Sequence, residues 1–92
     1  MTNLENLFEQ HFPKGVKYYP KSSKELIVYI TEEEYLLSLK IKLFIDTWAS
    51  YLYFGDNLDK MLIYQSTDLE ELMRVTKDKL NKMFTGWVSK VN

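Results

Sequence analysis

Tyr35-Leu36-Leu37-Ser38-Leu39-Lys40-Ile41-Lys42-Leu43-Phe44-Ile45-Asp46 is the stretch on which the reading of the fold turns. Leu37, Leu39, Ile41, Leu43 and Ile45 alternate with Ser38, Lys40, Lys42, Phe44 and Asp46. A period of two places successive side chains on opposite faces of a strand, one buried and one wet. Further strands follow on either side. Glu25 to Thr31 is β-branched and aromatic and too short for an independent helix. Trp48 to Phe54 and Met61 to Gln65 read the same way, with Gly55-Asp56-Asn57 between them as turn chemistry. Glu32-Glu33-Glu34 suits an exposed turn. Connections this short imply antiparallel hairpins.

The flanks read as helices. Thr2 and Glu5 have capping-box spacing, and Leu4, Leu7, Phe8 and Phe12 recur at helical intervals, which predicts a helix over about 3–12 that Pro13 and Gly15 stop. Val16 to Lys24 contains Pro20, Lys21, Ser22 and Ser23 and reads as an extended arm followed by a turn. Downstream, Thr67 is placed to cap and Glu70 to reach back. Leu69, Leu72, Met73, Thr76, Leu80, Met83, Phe84, Trp87 and Val91 then recur every three or four residues, predicting an amphipathic helix to about Ser89.

The expected fold is therefore α+β, in the order α-β-β-β-β-α. A four-stranded antiparallel β-meander carries a short N-terminal helix and a long C-terminal helix on one face. Leu26, Val28, Ile30, Leu39, Ile41, Leu43, Leu52, Phe54, Met61 and Ile63 should meet Leu7, Phe8, Leu72, Leu80, Phe84 and Trp87 in the core. At 92 residues, a second folding unit would lack the apolar surface for a core, so residues 1–92 are expected to form a single domain. An apolar fraction of 46% is enough to offset ordering entropy.

Composition narrows the chemistry. There are no cysteines, which removes disulfides, thiolate nucleophiles and Cys-based zinc sites. The N-terminal residues lack a basic segment and apolar run, and no stretch approaches the ~20 apolar residues of a membrane span. The expected location is the cytoplasm. Thirteen acidic and twelve basic residues leave a net charge of −1, which favours neither an ordinarily basic phosphate binder nor an acidic DNA mimic. Except for Arg74 the basic residues are lysines, a composition associated with AT-rich genomes such as those of many Gram-positive bacteria and their phages.

Candidate sites give way one by one. His11 is the only histidine and ends the first predicted helix, where a helix dipole suits it. Glu32 to Glu34 are consecutive on a turn and point in different directions, and Gly55 to Asp59 lacks the distal glutamate of a calcium loop. Gly15, Gly55 and Gly86 are too far apart to cradle phosphate. No nucleophile, base and stabiliser gather in the sequence, so no enzyme activity, catalytic residue, metal or cofactor is expected.

What remains is a surface. Alternation sets Tyr29, Lys40, Lys42, Phe44, Tyr51, Tyr53, Leu62 and Tyr64 on the sheet face turned away from the helices. Tyrosines interleaved with lysines suit a face that is wet when alone and covered in function. The expected function is a non-enzymatic protein-binding module, a small bacterial or phage accessory, regulatory or inhibitory protein that occludes a surface of a larger partner. A host-defence nuclease inhibitor would be one example. The alternative is a single-stranded nucleic-acid binder that stacks bases on tyrosine and tracks phosphates with lysine. The competing uses are packing of this face against the Val16 to Pro20 arm and self-association as a homodimer.

Overall fold

A computed structural model describes residues 3–30, 37–54 and 59–84. The chain runs α1 (Asn3–His11), β1 (Tyr18–Ser22), β2 (Glu25–Tyr29), β3 (Leu37–Phe44), β4 (Thr47–Phe54), β5 (Lys60–Ser66) and α2 (Leu69–Met83). The α+β class and antiparallel meander are as expected, but the sheet has five strands in the order β1-β2-β3-β4-β5, not four. The additional strand is the stretch read from sequence as an arm. Tyr18, Tyr19 and Pro20 lie opposite Val28, Ile27 and Leu26, and the register shifts between Pro20 and Ser22. Proline lacks an N–H and is tolerated at a sheet edge, where one row of backbone groups has no partner strand.

Both helices lie on one face of the sheet. Leu26, Val28, Leu39, Ile41, Leu52 and Ile63 pack beneath Leu4, Phe8, Leu72, Met73 and Leu80, all buried. Phe8 stacks on Phe12 at 4.5 Å between ring centroids and meets Tyr18 at the same distance. The Tyr18 hydroxyl donates to Glu9 Oε1 at 2.6 Å, which ties β1 to α1. His11 Nε2 lies 3.7 Å from Glu70 Oε1, joining the C-terminal end of α1 to the first turn of α2.

Several expectations are corrected. Phe54 and Met61, expected in the core, are 43% and 39% exposed although they pair with Leu37 and Leu52; Phe54 is the last residue of β4, and Met61 lies near the start of the edge strand β5. Leu43 is only half-buried, and Ile45 leaves the strand altogether to form the β3–β4 turn. The cap of α2 is Asp68, not Thr67. Its carboxylate accepts from the Glu70 backbone N–H at 3.0 Å. Ser66 fixes this start, accepting from the Asp68 N–H at 3.0 Å while donating to Glu71 Oε2 at 2.7 Å. Trp87, Val91, the run Glu32 to Glu34 and the turn Gly55-Asp56-Asn57 lie outside the described residues.

Candidate protein-binding face

Antiparallel pairing places directly opposite residues on the same face. Tyr19, Ile27, Lys40, Tyr51 and Leu62 therefore form one row across all five strands, on the side away from the helices. Beside it run Tyr29, Ser38, Tyr53 and Lys60 in one row and Glu25, Lys42, Ala49 and Gln65 in another. Phe44 opposes Thr47 at the hairpin end. Six of the seven residues expected to bind a partner (Tyr29, Lys40, Lys42, Phe44, Tyr51 and Tyr53) are thus brought together on this face.

Tyr64 is the exception. The pairing of β4 with β5 shifts after Ser50, which opposes Tyr64, while Tyr51 opposes Leu62, so Ile63 is an extra residue without a partner. Such a bulge reverses the alternation beyond it. Tyr64 consequently lies on the helix side, where its hydroxyl donates to Glu71 Oε1 at 3.1 Å and the Lys79 ammonium lies 5.3 Å from its ring centroid. Lys79 also donates to the Ile63 carbonyl at 3.1 Å, so α2 clamps the bulge. The hydrogen bond to Glu71, followed by burial, raises the Tyr64 phenol above its ordinary pKa.

Lysines cover rings on the helix-free face in a crossed pattern. Lys40 lies opposite Tyr51 but reaches diagonally to Tyr53, with Nζ 4.9 Å from the ring centroid. Lys60 lies opposite Tyr53 and reaches to Tyr51, also at 4.9 Å. Lys42 Nζ stands 5.2 Å from the Phe44 centroid, and Phe44 meets Tyr51 edge-on at 6.0 Å. The cation–π attraction is worth ~0.5–1 kcal/mol per pair at exposed sites and holds the rings and ammonium groups in place. Lys60 was missed in the sequence because it immediately precedes the expected fourth strand.

Glu25 is the carboxylate in these rows, with Oε2 3.3 Å from Lys40 Nζ. Glu5, Glu9, Asp68, Glu70, Glu71 and Asp78 belong to the helices or the cap of α2, which also carries Arg74, Lys77, Lys79 and Lys82, and Asp46 lies in the β3–β4 turn. Among the described residues of these rows, Lys40, Lys42 and Lys60 outnumber the single carboxylate of Glu25.

Among the described residues, no three His, Asp or Glu side chains gather to hold a metal ion. A cleft of about 270 Å³ lies beside Phe8, Phe12, Lys14 and Tyr18, of which Phe8 and Phe12 are buried and Tyr18 is half-buried. No helix among the described residues is long and apolar enough to cross a membrane. No protein-family model, curated protein or solved structure matches the chain.

Proposed function

We propose that this chain is a non-enzymatic protein-binding module whose helix-free sheet face occludes an acidic surface of a larger protein. The observation behind the reading is the crossed arrangement of Lys40 over Tyr53 and Lys60 over Tyr51 on a face with little negative charge. Ordered tyrosines supply large contact area at low entropic cost, and their hydroxyls find partners across an interface. Lysines around them steer toward carboxylates. The same geometry weighs against nucleic acid, because one face of each ring is occupied by an ammonium group that a stacking base would have to displace. It weighs against a homodimer as well, since like charges would meet across a two-fold axis.

The test is capture from native-host lysate, identification of the captured protein, and reconstitution with that protein purified. Tyr51→Ala with Tyr53→Ala should leave the fold intact and reduce binding at least tenfold. Recovery of the chain alone at every expression level would count against the reading. A salt-sensitive shift of labelled oligo(dT) would favour the nucleic-acid alternative.

A further inference from the structure

The sheet has two edges, β1 and β5, and their outer backbones differ. Along an antiparallel strand, residues whose N–H and C=O turn toward the neighbour alternate with residues whose groups turn away. The Tyr29 N–H donates to the Lys17 carbonyl at 2.9 Å, and Tyr19 lies opposite Ile27. Lys17 and Tyr19 thus face β2, which leaves Tyr18 and Pro20 facing outward. Pro20 has no N–H, so this edge lacks a donor where an added strand would need one.

β5 is open where β1 is closed. The Phe54 N–H donates to the Asp59 carbonyl at 3.3 Å, and Leu52 lies opposite Met61. Asp59 and Met61 therefore turn toward β4, while Lys60 and Leu62 turn their N–H and C=O outward. The devices that guard an edge are directed elsewhere. Lys60 draws its ammonium inward over the Tyr51 ring, at 4.9 Å from the centroid. The bulge comes only at Ile63, whose carbonyl Lys79 holds.

Alternating outward donors and acceptors are matched by another extended backbone. Met61 and Leu62, 39% and 46% exposed, point to opposite faces, so an added strand gains apolar contact on both. Leu62 also ends the row Tyr19, Ile27, Lys40 and Tyr51, so that strand would widen the helix-free face. A second copy fits poorly. Pairing two β5 edges about Met61 would set Lys60 of each copy on the same face as diagonal neighbours.

We infer that β5 takes an extended segment of the partner protein as a sixth strand along Lys60–Leu62, with apolar side chains beside Met61 and Leu62. The inference rests on the proposed protein-binding function and adds a backbone docking point at the margin of the sheet face.

The probe is a phage library of random seven-residue peptides selected on the full chain, with the best peptide then synthesised. The expected sequence has consecutive apolar residues. In the free chain the Lys60 and Leu62 amides should exchange hydrogen quickly and the Met61 amide slowly. The peptide should slow exchange at Lys60 and Leu62 at least tenfold. Leu62→Pro removes an outward N–H, so it should hold the melting temperature within ~4 °C and weaken peptide binding at least tenfold. Leu62→Ala, which keeps the N–H, should weaken it less. N-methylation of the peptide amides that face β5 tests the same bonds with the protein unaltered and should abolish binding. Failure to select a peptide, no protection at Lys60 and Leu62, or full binding by the N-methylated peptide would overturn the inference. So would a dimer of the free chain that Leu62→Pro makes monomeric, which would give the edge to a second copy. With the captured partner protein, loss of binding in Tyr51→Ala with Tyr53→Ala but not in Leu62→Pro removes the edge alone. The reverse pattern keeps the edge and removes the sheet-face reading.

Discussion

The Ser50 hydroxyl on β4 lies 2.8 Å from the Thr76 hydroxyl on α2, and both side chains are wholly buried. Amid apolar neighbours this pair fixes where the helix sits along the sheet, because neither hydroxyl has water as an alternative. Ser50→Ala and Thr76→Val should each destabilise the chain by about 1–3 kcal/mol in urea. Together they should cost less than the sum, since the double variant leaves neither hydroxyl stranded. Additive losses would show that the two groups are not coupled.

Capping distinguishes neighbouring residues at the start of α2. Asp68→Ala should cost about 1 kcal/mol through loss of the bond to the Glu70 N–H, whereas Thr67→Ala should change stability by less than ~0.5 kcal/mol. Chemical denaturation of the two variants checks this, and the opposite ranking would return the cap to Thr67.

Tyr18 makes stability sensitive to alkali. Its hydrogen bond to Glu9, reinforced by burial and by the nearby carboxylate charges, pushes the phenol from 10.0 up to about 12. The folded chain therefore holds this proton more tightly than the unfolded chain. The resulting contribution is complete below pH 10.0 and disappears as pH rises through about 12. Tyrosinate absorbance should show a late-ionising group that is missing in Tyr18→Phe, and the stability of that variant should fall less steeply over the same range.

The lysines of the helix-free face should oppose self-association. Light scattering at low salt is expected to give the mass of one chain, because docking two copies would bring Lys40, Lys42 and Lys60 against one another. A dimer that Tyr51→Ala with Tyr53→Ala converts to monomer would instead make this face a self-association surface.

Much of this architecture is legible from residue patterns. The alternation from Leu37 to Lys42 survives in the buried Leu39 and Ile41 and their half-buried neighbours, and the stripe from Leu69 to Leu80 is the buried side of α2. Six residues of the candidate face follow from simple alternation. Lys60 does not, because its place depends on where β5 begins and on its reach across to Tyr51.

Period and local turn chemistry are properties of neighbours along the chain, so they suffice to say which residues prefer burial and roughly where α1, β2, β3, β4, β5 and α2 lie. The remaining features arise from contacts made on folding. Tyr18–Ser22 became a strand because β2 offered an edge to pair with and Phe8 offered a ring for Tyr18 to pack on. Tyr64 moved to the helix side because the unpaired Ile63 inserts a bulge, a mismatch between strands that neither strand's own pattern reveals. Asp68 became the cap because Ser66, held by Glu71, set the angle at which the chain enters α2. Each outcome depends on a hydrogen-bond or packing partner distant in sequence or fixed by folding, which is why a linear pattern cannot specify it.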